Sequence, residues 1–105
     1  KALEITRKKI EDEAKDKLAS NNVKREITIE IAVKNTNSTT SEIAIKDQIP
    51  VSKDDNIKVK QIDLDNGRLN ELTGILTWNL KLKPNETKII KFTYEITHDK
   101  EIEVI

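Results

Sequence analysis

Cysteine is absent from the 105 residues, which removes disulfides, thiol catalysis and cysteine metal sites together. The compartment stays open, since a chain without disulfides suits an oxidising space as well as a reducing one. Glycine occurs only at Gly67 and Gly74, too few for a glycine-rich phosphate loop or the nucleophile elbow of a hydrolase. The single histidine, His98, has no second imidazole or thiol with which to build a zinc site, and beside Asp99 it reads as a solvated turn residue. Net charge is missing too. Nineteen basic residues balance nineteen acidic ones, so no field draws the chain to nucleic acid or to an anionic membrane. No apolar run is long enough to span a bilayer, and the start lacks a signal-peptide pattern.

What is present is isoleucine, sixteen of them, β-branched and suited to a half-buried pleated surface. From Gly74 to Thr97 the chain reads as a β-hairpin. Leu76, Trp78, Leu80 and Leu82 alternate with polar residues, and after Lys83-Pro84-Asn85-Glu86 so do Ile90, Phe92, Tyr94 and Ile96. Proline presets φ for the turn and asparagine tolerates the next position. All three aromatic residues share the apolar phase, so Trp78, Phe92 and Tyr94 are expected in the core, not as a platform for sugar rings.

Ile27, Ile29, Ile31 and Val33 alternate in the same way, before the turn formers NTNSTTS. Ile43, Ile45 and Ile49 follow in one phase, closed by Pro50. Asp47 shares that phase, and an inward carboxylate at a strand end is expected to tie down a neighbouring loop's backbone. Ile57 and Val59 slip phase to Ile62 and Leu64, which predicts a β-bulge near Lys60 or Gln61. Asn66-Gly67 is a favoured pair for a tight turn. Leu3 and Ile5 suggest a short strand. Over residues 10–19, Ile10, Ala14 and Leu18 recur every four residues with Glu11–Lys15 and Glu13–Lys17 pairs, the pattern of a short surface helix. After Thr97, HDKE reads as a turn and IEVI at 102–105 as a last edge strand.

Together these make an all-β chain: one domain over 1–105, an immunoglobulin-like antiparallel β-sandwich of six to seven strands with one short helix near residues 10–19. A closed barrel is the alternative, but the glycine bends of small barrels are lacking. A calcium loop over DLDNG fails in register: with Asp63 and Asp65 as positions one and three, the required glycine falls at Arg68, and Asp54-Asp55-Asn56 add oxygens without a bidentate acid. Asn37 and Asn85 lie in glycosylation sequons on expected loops.

The segments VKNTN at 33–37, KDQIPVS at 46–52, IKV at 57–59, GILTWNLKLKPNE at 74–86 and FTYEI at 92–96 come in an order that resembles the carboxy-terminal domain, of unknown function, of the mucoidy-inhibitor-A-like family. TRKKI at 6–10 matches the segment that precedes them there, so the resemblance covers nearly the whole chain. It implies the β-rich end of an exported multidomain bacterial protein, in the periplasm or at the cell surface, and no catalytic residue to carry over. The family is more extended over 11–22, which leaves residues 10–19 open between helix and strand. The chain is also similar to immunoglobulin-like repeats of bacterial surface proteins, some of which cross-link a lysine to an asparagine; the last strands here hold no asparagine beyond Asn85, so no such bond is expected.

The expectation for function is a non-catalytic interaction module with no catalytic, cofactor or metal residues. Its partners would be neighbouring domains of the same chain or another copy of itself, reached through a sheet face or an edge strand. The start at Lys1, without a methionine, reads as a fragment of a longer polypeptide.

Overall fold

Alternation of β-branched and polar residues becomes strand almost throughout. In the computed structural model, which describes residues 3–16 and 22–99, the strands are β1 (Leu3–Asp16), β2 (Asn22–Asn35), β3 (Ser41–Gln48), β4 (Ile57–Asp63), β5 (Arg68–Leu69), β6 (Ile75–Leu82) and β7 (Thr87–Asp99). They pair antiparallel in two sheets, a larger one of order β1-β2-β7-β4 and a smaller one of order β3-β6-β5. Two layers of four and three strands are the arrangement expected of a β-sandwich. The order has its own signature. Immunoglobulin constant domains put the fifth strand inside the four-stranded sheet and the seventh at the edge of the other; here β7 lies between β2 and β4, and β5 forms the edge.

The core lies between the sheets. Ile27, Ile29, Ile31 and Val33 of β2 and Ile90, Phe92 and Ile96 of β7 meet Ile45, Leu76, Trp78 and Leu82 from the smaller sheet, all nearly fully buried. Trp78 packs on Phe92 with ring centroids 5.5 Å apart. This contact corrects the expected hairpin. β6 and β7 are consecutive and both alternate, but they belong to different sheets, so 74–97 is an arch whose apolar faces oppose each other. Alternation marks a strand's buried face without saying whether the next strand lies beside it or across the core. The turn itself is as expected: Glu86 N–H donates to the Lys83 carbonyl at 3.0 Å, and Asn85 takes φ 65°.

The short helix near residues 10–19 is not formed. Residues 10–16 continue β1, and 17–19 lie outside the described residues. The register explains the misleading spacing. Lys9 faces Ile29 and Glu11 faces Thr28, so Ile10 is an extra residue in a bulge, and the period of two breaks there. Helical i, i+4 pairs contribute only about 0.3–0.5 kcal/mol each, less than a ladder that continues to Val23. The second bulge lies between Gln61 and Asp63 in β4, one residue beyond the expected place. In the tight turn the positive-φ positions are Asp65 (50°) and Asn66 (60°), with Gly67 N–H donating to the Leu64 carbonyl at 2.8 Å. Gly67 is required for another reason: a Cβ there would lie 2.7 Å from Trp78 Nε1.

The sheets differ in length. Fourteen-residue β1 and β2 span about 46 Å, eight-residue β3 and β6 about 26 Å. The larger sheet therefore overhangs the smaller at the end holding Asp12 and Arg25. Along its outer edge β1 is exposed from Glu4 to Ala14, with Ile5 and Ile10 among its exposed residues.

Candidate functional site

At the closed end of the sandwich, Asn35 continues the inward phase of Ile27 to Val33 and is fully buried. Its Nδ2 donates to the carbonyls of Leu82 (2.9 Å), Thr39 (2.9 Å) and Lys83 (3.2 Å). Its Oδ1 accepts from Asn37 N–H (2.9 Å) and the Ser41 hydroxyl (3.4 Å). Its backbone N–H donates to the Glu86 carbonyl and its carbonyl accepts from Asn85 N–H. One amide thus joins the β2–β3 loop to the arch turn, and no buried side-chain polar atom is left unpaired among the described residues. The sequon residues differ: the Asn37 side chain donates to Ser41 Oγ at 3.1 Å, and Asn85 is exposed on its turn.

The acidic loops are occupied with backbone. Asp63 Oδ1 accepts from Asp65 N–H, and Asp65 Oδ2 from Lys91 N–H at 3.0 Å, where β4 has ended and β7 would otherwise show an open amide. Asp54 Oδ1 accepts from Asn56 N–H in an exposed Asx turn. No cluster of three or more potential metal ligands occurs among the described residues. His98 is not a turn residue: it is half-buried on β7, opposite Val23 on one side and Ile57 on the other. Pairing with β2 carries β7 through His98 and Asp99, and Lys100 and Glu101 of the expected HDKE turn lie outside the described residues. Trp78 and Phe92 are core, as expected. Trp78 Nε1 donates to the carbonyls of Leu64 (3.0 Å) and Asp65 (3.1 Å). Tyr94, stacked on Phe92 with centroids 6.4 Å apart, is only half-buried.

The inner face of the larger sheet turns polar toward its β1 edge: Arg7, Lys9 and Asp12 occupy the inward phase of β1, level with Ile90, Phe92 and Tyr94, and Arg25 that of β2, level with Ile96. Arg25 binds Asp12 with both arms of its guanidinium, Nη2 reaching Oδ2 at 2.6 Å, and Lys9 adds a third contact at 2.9 Å. Arg7 grips Asp47 of β3 in the same forked way, at 2.6 and 3.2 Å, joining the two sheets along one side. Asp47 thus points inward as expected and also accepts from Gln48 N–H at 2.7 Å, but its main partner is a guanidinium. The Arg25 hydrogen bond, then that of Lys9, holds the Asp12 carboxyl well below the usual carboxylate range. The bond to Asp12 raises Arg25, and the bond to Asp47 raises Arg7, above the usual guanidinium value. Burial pushes the Tyr94 phenol upward. Opposite this polar floor, Val51 is 41% exposed and Leu72 89%. The arrangement offers paired charges, a phenol and an apolar lip, which is the chemistry of surface recognition.

The edge strand 102–105 lies outside the described residues. Arg7, Asp12 and Arg25 were not singled out by sequence reasoning. One signal could have found the arginines: in a chain with sixteen lysines and three arginines, arginine is spent where a planar fork is needed.

Residues 1–100 match a family model described as a domain of unknown function, DUF4139. No curated protein and no solved structure matches the chain.

Proposed function

The chain belongs to the DUF4139 domain family, and from that premise we propose that it is a non-catalytic interaction module at the carboxy-terminal end of an exported multidomain bacterial protein of the mucoidy-inhibitor-A-like kind. It works outside the cytoplasm, holding neighbouring domains or another copy. The observation that carries this reading is β1, a fourteen-residue strand at the edge of the larger sheet whose outer row of backbone donors and acceptors faces no other strand among the described residues. Edge strands recruit partners by extending the ladder, and the polar overhang beside β1 supplies exchangeable charges.

A second reading, an immunoglobulin-like repeat of a surface stalk, is favoured by the elongated form, 56 Å along one axis against 25 and 20 Å across. Lysine-reactive cross-linking of the native polypeptide in cells, followed by peptide mass spectrometry, tests the first. Links from Lys8 and Lys9 to another segment or to a second copy are expected. Links confined to this domain would sink it, and tandem copies of the segment in the parent polypeptide would move the conclusion to the stalk.

A further inference from the structure

Long exposed edges are guarded in natural sheets by lysines and bulges, and β1 has both. Its guard charges are sorted, however. Arg7, Lys8 and Lys9 precede the bulge residue Ile10, and Glu11, Asp12 and Glu13 follow it. A strand with positive charge in one half and negative charge in the other repels a parallel copy of itself and attracts an antiparallel one. We propose that two copies of this chain join through their β1 strands, antiparallel about a two-fold axis at Lys9–Ile10, giving one continuous eight-stranded sheet. This rests on the interaction-module reading and specifies its partner and surface.

Faces and charges together select the register. Opposite β2, residues Ile5, Arg7, Lys9, Asp12 and Ala14 point inward, while Thr6, Lys8, Glu11 and Glu13 point outward, the parity changing at the bulge. Directly opposed residues in an antiparallel pair must share a face, and a slip of one residue sets inward against outward. Placing Arg7 opposite Asp12 of the second copy satisfies this for every pair outside the bulge. Ile5 then meets Ala14, Thr6 meets Glu13, and Lys8 meets Glu11. Slipping by two one way, with Arg7 opposite Ile10, sets Glu4 against Glu13; slipping by two the other way keeps the faces but sets Arg7 against Ala14, which gives the guanidinium no carboxylate. Glu11 and Glu13 have no ion pair among the described residues, and the assembly brings basic residues to them. The other edge, β4, is half as long and carries no such sorted charge.

The test uses the 105-residue chain in sedimentation equilibrium at low and high salt. A dimer that weakens with salt is expected. Lys8→Glu and Glu11→Lys, each alone, set like charges opposite one another twice per dimer and should weaken association by about tenfold or more. Mixed in equal amounts they should associate again, because each variant then meets its complement. Circular dichroism melting checks that both variants fold. A nitroxide on Glu13→Cys, in a chain with no other cysteine, should report a separation of about 23 Å, seven residues along the pair. A chain that stays monomeric at millimolar concentration and low salt overturns the proposal while leaving the in-cell cross-links to judge the wider reading. A dimer indifferent to both reversals, failure of the mixture to associate, or a separation near 17 Å overturns this interface or its register.

Discussion

The two ends of the sandwich both use polar side chains to tie elements together, in opposite ways. At the closed end one neutral amide, Asn35, is fully buried and bonded in all directions. At the open end the ties are ion pairs within reach of water, with the Arg7 side chain 53% exposed. A buried neutral network is expensive to break and indifferent to salt. Exposed pairs are worth little and exchange partners readily. The first arrangement fixes a fold; the second leaves charges available to a partner.

The comparison can be broken by mutation, starting with the core both ends flank. Phe92→Ala removes a side chain with no exposed area and should cost about 3–5 kcal/mol in urea unfolding. Asn35→Ala leaves the Leu82 and Lys83 carbonyls and Asn37 N–H without their partner and should cost about 3 kcal/mol, unchanged by salt. Gly67→Ala forces Trp78 away from its place and should cost about 2 kcal/mol, with the single tryptophan's emission moving to longer wavelength. Asp12→Ala should cost about 0.5 kcal/mol or less, and less still in high salt. If Asp12→Ala proved as costly as Asn35→Ala, the contrast between the ends would fail.

The pH dependence sharpens the same contrast. Because the folded pKa of Asp12 is depressed, its contribution is present above the ordinary carboxylate range and fades as pH falls through the folded value. Tyr94 runs the opposite way. Its folded pKa is raised, so its contribution is present below the ordinary phenol range and fades as pH rises beyond it. It is the only tyrosine, so absorbance at alkaline pH should show a single phenolate step later than that of a free phenol. A step at or below the free value would contradict the burial of its ring.

Much of the fold was legible because isoleucine alternation reports a buried face directly, as in Ile27 to Val33. The partner of that face was not. Nothing in 74–97 distinguishes a hairpin from an arch, since β6 reads the same whether β7 lies beside it or across from it. The helical spacing read over 10–19 falls, over 10–16, on a strand with one residue inserted. Asn35 could have been found: a polar residue that continues an apolar phase must have its hydrogen bonds satisfied inside. Asp47 was read as inward by that logic, but its partner Arg7 is forty residues away, and no local pattern links them.

The place of β7 also sets the order of assembly. It is the last strand in sequence among the described residues, yet it sits between β2 and β4. Its pairing with β2 joins Asn22 to Asp99 and Ile31 to Ile90, contacts that close long loops and slow the search for the native topology. During synthesis β1 to β6 emerge first and cannot complete the larger sheet, so its central slot stays open until β7 has left the ribosome. Through that interval β2 has a neighbour only on its β1 side, its inward isoleucines lack the side chains of β7 beside them, and it is then that a chaperone would have most to hold.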